Sequence, residues 1–290
     1  MASVLEATRL RPEMGQRLWI FTRRNPTIVL GGALLALMAA IALVAPWIAG
    51  DPRLMTPTNR LLAPSAAHWF GTDNLGRDVF ARSVHGARVS LLVGLSVAIV
   101  SIVAGLAIGL AAGYYRRLDG FVMRIMDGLM AIPAILLAIA LVSLNRASIW
   151  IVIVAISIPE VPRVVRLVRA VVLTTREQPF IEAAIGGGSR NLKIILRHIL
   201  PSTIAPLVVQ ATYVTASAIL IEAALSFLGA GVPPEIPTWG NMIASSRLFL
   251  ASAPWTIFFP GAALALVILA VNLMGDGLRD RLDPRLARRM

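Results

Sequence analysis

The chain has 290 residues, 57% of them apolar and 14% charged, with 27 Lys and Arg against 15 Asp and Glu. Apolar runs of eighteen or more residues recur, the length that crosses a hydrocarbon core, so a soluble globular protein is excluded and the net charge of +12 has to be read against the spans, not as a nucleic-acid footprint. The absence of cysteine removes disulfides, thiolate metal sites and cysteine nucleophiles; His68, His85 and His198 make no ligand pattern, and no catalytic motif or phosphate-binding glycine loop is present.

Taken in order, residues 1–26 are polar and basic (Arg9, Arg11, Arg17, Arg23, Arg24), without the cleavage pattern of a signal peptide. The first span is expected at 27–49. Residues 50–88 form an outer segment that begins Pro-rich and irregular (Pro52, Pro57, Pro64). Asp73 is then expected to cap an amphipathic helix to Arg88, lying along the membrane face. A second span follows from about Ser90 to Ala112, where Gly105-x-x-x-Gly109 offers a smooth packing face. Tyr114–Arg124 reads as a short basic turn, and the third span runs to about Leu144 with a kink at Pro133.

After a brief turn at 145–148, the fourth span carries Pro159, Glu160 and Pro162. The Arg163, Arg166 and Arg169 ladder beyond them is read as an inner anchor reaching headgroups or cytoplasm. Glu160 and Arg163 are expected to pair along the helix, and Asp127 and Asp276 to lie near the inner boundary. An island of charge and small residues, 176–201, reads REQPFIEAAIGGGSRNLKIILRHILP: a short helix through Glu182, Ala183 and Ala184, a glycine run, then a basic turn to Pro201. From spacing alone it is equally a plain inner loop. A fifth span is expected at about 202–228, an outer Pro/Gly-rich segment at 229–254, a sixth span at about 255–274 and a basic tail at 277–290. Twenty of the 27 Lys and Arg fall in the four segments then on the inner side, which supports six spans with both ends cytoplasmic.

Four blocks in this order carry a resemblance: HWFGTDNLGRDVFARSVHGAR from His68, the Glu182-Ala183-Ala184…Gly188…Leu200-Pro201 stretch, SFLGAGVPPEIPTWGNMI from Ser226, and NLMGDGLRDRLDP from Asn272. Together they resemble the inner-membrane permease subunits of ATP-binding-cassette importers, nearest to the C-type subunit of the dipeptide, oligopeptide and nickel group. The resemblance implies an all-α membrane protein of about six transmembrane helices with the type I importer permease fold, its core at 89–276 including a cytoplasmic coupling loop at 174–201. It implies a permease and not an enzyme, sited in the bacterial inner membrane. The implied partners are a homologous second permease subunit, two cytoplasmic ATPase subunits that hold the ATP and Mg, an extracytoplasmic substrate-binding protein, and lipid, with no nucleic acid and no cofactor in this chain.

Within that frame, Phe180, Glu182, Ala183, Ala184, Gly188, Leu200 and Pro201 are expected to couple to an ATPase. Ala183 and Ala184 permit close approach, Glu182 can pair with a basic rim, and Gly188 allows a tight turn. Arg190, Lys193 and Arg197 are assigned to headgroups. Three features depart from the group's pattern: Gly186 and Gly187 stand where helix formers are usual, Pro179 suits a helix start, and the fourth span has Pro-Glu-Val-Pro. Glu222 has two readings, a residue of the path meeting the amino end of a passing peptide, or a hydrogen-bond partner of the second permease, the latter preferred. Di- or oligopeptides are the expected cargo, with nickel or another small solute as the alternative. A self-sufficient secondary transporter or channel is disfavoured because no inverted repeat is visible.

Overall fold

The computed structural model describes residues 21–145 and 148–282; most of the basic N-terminal segment, Arg146 and Ala147 of the fourth-span turn, and the last eight residues of the tail lie outside the described residues. Helix α1 spans Pro26–Ile48, one residue displaced from the expected 27–49. It opens on Pro26, whose missing N–H costs nothing in a first turn. Gly31 rests against the backbone of Ala270 and Met274, and Gly277 rests against Thr27 and Ile28, so α1 and the last helix lie together antiparallel with almost no side chain between them.

Helix α2 runs unbroken over Val79–Tyr114, 36 residues and about 54 Å, well beyond the ~30 Å of a hydrocarbon core. This corrects the separate surface helix expected from Asp73 to Arg88. The cap is Asp78, whose carboxylate accepts from Ala81 N at 2.8 Å. Asp73 is buried five residues earlier and accepts from Leu75 N, Arg77 N and Arg77 Nε at 2.8, 2.9 and 2.7 Å. Gly76 between them has φ 73°, so Asp73–Gly76 closes a turn where a first helical turn was expected. Further along α2, Gly105, Gly109 and Gly113 take Val164, Val168 and Val172 against their bare backbone, a longer version of the smooth face read from the sequence.

The third passage is two helices, α3 (Arg116–Ala131) and α4 (Ala134–Ser143), bent by 87°. Tyr115 alone makes the turn that the sequence reading spread over Tyr114–Arg124, because Asp119 and the alternating charges that follow are already helical. The bend sits at Ile132, held extended (φ −92°, ψ 128°) by the proline ring that follows it. Helix α5 (Ile149–Arg176) starts on a Ser148 cap to Ile151 N and continues straight through the buried Pro159 and Pro162. A short helix α6 (Pro179–Gly186) leads to α7, Asn191–Phe227. The helix therefore restarts ten residues before Pro201, and a wide turn of π geometry at Ile195–Ile199 precedes the proline. Helix α8 (Trp239–Ser246) buries Trp239 completely, its Nε1–H donating to Ser83 O at 3.1 Å. Helix α9 (Trp255–Leu282) carries past the expected end at 274.

Among the described residues four helices, α1, α2, α7 and α9, are long and apolar enough to cross a membrane, and α3 and α4 reach that length only when taken together across their 87° bend. Helix α5 misses that criterion because Glu160, Arg163, Arg166 and Arg169 interrupt its apolar run. It nevertheless lies parallel to α2 from Ser157 beside Ser101 to Val172 beside Gly113, so it crosses where α2 crosses. The buried faces of α2, α5 and α7 meet in a core that includes Val93, Val97, Ile156, Val164, Val168, Ile199 and Val214. Segments 49–78 and 229–254 gather at one end of the bundle and α6 at the other.

Candidate functional site

Helix α6 is pinned by one residue and exposed elsewhere. Ile181 is 0% exposed and joins the α5–α7 core, and Ala184 packs partly against it. Phe180 (50% exposed), Glu182, Ala183 and Ile185 (54%) face outward. Glu182 has no ion-pair partner among the described residues. The helix starts at Pro179, as that proline implied, and ends at Gly186. Gly188 takes φ 75°, its N–H donating to Ile185 O at 2.9 Å, while Ser189 N donates to Ala184 O at 3.0 Å. That is the Schellman geometry, in which a left-handed residue satisfies the last carbonyls. The glycine run is thus a stop with a tight reversal.

The α6 end of the bundle is tied together by polar contacts. Arg176 donates to Tyr114 O at 3.1 Å, Tyr114 Oη donates to Asn191 Oδ1 at 3.0 Å, and the Phe180 ring lies 6.3 Å from that of His198. These contacts bring the Glu182–Gly188 ridge to the foot of α7, where Leu200 is half-buried and Pro201 exposed, although both belong to α7 and not to α6. The sequence reading missed Leu192 and Leu196, two exposed apolar side chains one turn apart on α7. Their i, i+4 spacing was the available signal, hidden by the arginines around them.

Each arginine of the Arg163–Arg169 ladder is paired with a carboxylate of the chain itself. Arg163 Nη1 donates to Glu160 Oε1 at 2.9 Å, the local pair expected from the spacing, and Arg166 Nη2 meets Asp127 Oδ1 at 2.6 Å. Arg169 binds Asp119 through both Nε and Nη2, at 2.5 and 2.7 Å. Asp119 and Asp127 are eight residues apart on antiparallel α3 and so share one face, which draws the guanidinium groups sideways. Glu160 is itself fully buried and takes a further bond from Ser217 Oγ on α7 at 3.1 Å.

Glu222 is fully enclosed by its own chain, its carboxylate accepting from Ser226 Oγ at 2.8 Å. At this same end Gly229 (φ 80°) closes α7 in the manner of Gly188, and Asn241 Nδ2 gathers the carbonyls of Val232, Pro233 and Ile236 at 2.9–3.3 Å, shaping the 229–238 loop. The outer segment is built the same way: buried Arg82 lies 3.8 Å from Asp73 and donates to Pro52 O.

A helical bundle with several long apolar helices is the architecture of a multi-pass membrane protein. A chain of the MetNI methionine ABC transporter in an inward-facing form has the same fold, with a TM-score of 0.57 over 70% of this chain and 96% of that one at 19% identity. The family model described as binding-protein-dependent transport system inner membrane component matches residues 87–288, and the N-terminal TM domain of oligopeptide transport permease C matches 13–64. The chain belongs to this family of multi-pass inner-membrane permease components. It is 61% identical over 92% of both chains to a protein of Sinorhizobium fredii named "Probable peptide ABC transporter permease protein". It is 46% identical to the dipeptide transport system permease protein DppC of Alkalihalophilus pseudofirmus, covering 91% of this chain and 88% of that one. The di/tripeptide permease of Pseudomonas aeruginosa is 44% identical, over 89% and 88% respectively.

Proposed function

We propose that this chain is one of two homologous permease subunits of an ATP-driven importer of di- and oligopeptides, and that α6 is the element through which a cytoplasmic ATPase subunit moves it. ATP and Mg then reside on two ATPase subunits at the α6 end, and an extracytoplasmic binding protein delivers peptide at the end holding 49–78 and 229–254. The names of the similar permeases support the cargo. The observation that carries the coupling role is the split character of α6, with Ile181 locked in the core while Phe180, Ala183 and Ile185 stand free.

Such a helix transmits force in both directions. Large apolar side chains provide buried contact area, and Ala183 keeps the helix surface low enough for close seating. Two residues, Glu177 and Gln178, separate α6 from α5, and Arg176 fastens α5 to the end of α2. Displacing α6 therefore displaces α5 and α2 with it, and the passage between the subunits rocks between its inward-open and outward-open forms.

The test is co-purification. With both permeases and both ATPases expressed together, Phe180→Asp combined with Ile185→Asp is expected to lower the ATPase recovered with this chain about tenfold or more, since each change removes a well-packed apolar contact. The second permease and the helical signal are expected to remain. Full ATPase retention would refute the docking role of α6.

A further inference from the structure

Arg163 stands fourteen residues from one end of α5 and thirteen from the other, about 20 Å from each at 1.5 Å per residue. Its side chain is 38% exposed, and its single ion-pair partner among the described residues is Glu160, which is wholly buried. One of five guanidinium N–H groups is used in that pair, leaving a bidentate edge open. Around it the exposure is greater: Arg166, one turn further along α5, is 45% exposed and pairs with Asp127 of α3, 59% exposed. Exposed charge at this depth is not compatible with lipid and belongs on water or on a protein partner. By contrast Leu95, Ile99 and Val103 of α2 present a purely apolar exposed face.

We propose that the α3–α5 face carrying these pairs walls the water-filled passage, and that Arg163 holds the terminal carboxylate of a short peptide midway along it. The assignment rests on the peptide reading above and deepens it. Planar guanidinium and carboxylate match in a two-bond fork, so Arg163 takes a free carboxylate far better than an amide. Glu160 acts as a positioning residue: it aims the guanidinium through Oε1, is itself held by Ser217, and leaves the site neutral when empty. Its Oε2 has no hydrogen-bond partner, so the cluster is not saturated by the chain's own groups. The paired Asp119 and Asp127 cancel Arg166 and Arg169, which keeps the rest of the wall from trapping the same carboxylate on its way through.

Two measurements on the full importer in proteoliposomes test this. In a chain with no native cysteine, Met130→Cys, one turn beyond Asp127 on the same α3 face, is expected to react with a membrane-impermeant charged thiol reagent, followed by mass spectrometry of this chain. Val103→Cys is expected to stay unmodified. The reverse pattern would overturn the aqueous wall.

The second measurement compares maximal uptake of trialanine and trialanine amide, at saturating peptide and binding protein. Because Arg163→Met strands the buried Glu160, it is studied alongside the double variant Arg163→Met, Glu160→Gln. In both, trialanine uptake is expected to fall about tenfold or more as the charge-assisted fork is lost, with amide uptake unchanged. Equal loss for both peptides, or no loss in the double variant, would overturn the carboxylate station. If the unaltered importer moves neither peptide, the peptide reading fails and the station with it, while the labelling still judges the wall.

Discussion

Gly186 and Gly188 lie two positions apart and obey different constraints. Gly186 is helical, with open space where a Cβ would stand, and Gly188 is held at φ 75° by the reversal that ends α6. Gly186→Ala is therefore expected to stabilise α6 by up to about 1 kcal/mol, and Gly188→Ala to destabilise its end by about 1–2 kcal/mol. Amide hydrogen exchange across 179–189 in the purified complex reads both: slower exchange in the first variant, faster in the second. Identical shifts in both would mean that φ at Gly188 is not what fixes the exit. At this scale the sequence was legible where one residue type has one use, as with Pro179 at a helix start. It misled where a residue has several uses. Asp73 and Asp78 are both good caps, and only the Gly76 turn, which buries Asp73 against Arg77, decides between them. Glu222 is read from its depth alone; Ser226, on the same helix face four residues on, donates to its carboxylate.

At the scale of elements, periodicity carried most of the reading. The small-residue spacing of α2 announced its partner face, and valines at 164, 168 and 172 on α5 repeat the interval from the other side. The charge spacing held equal information that one helix could not reveal: arginines three apart on α5 meet aspartates eight apart on α3 only when the two run antiparallel. The expected turn at Tyr114–Arg124 concealed this by leaving Asp119 outside any helix. The Asp119–Arg169 fork consequently fastens the start of α3 to the end of α5. Either single change, Asp119→Arg or Arg169→Asp, puts like charges face to face and is expected to lower the thermal midpoint of the detergent-solubilised complex. The exchanged pair should recover most of that loss, with a coupling of about 0.5–3 kcal/mol in a double-mutant cycle. Additive losses in the exchanged pair would show that the fork contributes nothing as a pair.

Across the whole molecule, chain direction follows from contacts between helices. Helices α2 and α5 run the same way, α1 and α9 run opposite to each other, and the segments 49–78, 229–254 and α6 sort to the two ends accordingly. Those contacts place α6 and the start of α1 together; they are silent on which compartment each end faces. The expectation that the α6 end is cytoplasmic comes from the sequence, in which twenty of the 27 Lys and Arg fall in the segments expected on the inner side. The sequence reading kept α5 as the fourth of six spans despite its charges, which are compensated only once α3 is in place. The chain's lack of cysteine makes sidedness directly measurable. Lys193 and Glu235 are exposed at opposite ends of the bundle. In intact cells, an impermeant maleimide should modify Glu235→Cys in this chain and spare Lys193→Cys until the membrane is opened. The opposite result would invert the molecule, put α6 outside, and remove any route by which a cytoplasmic ATPase moves it.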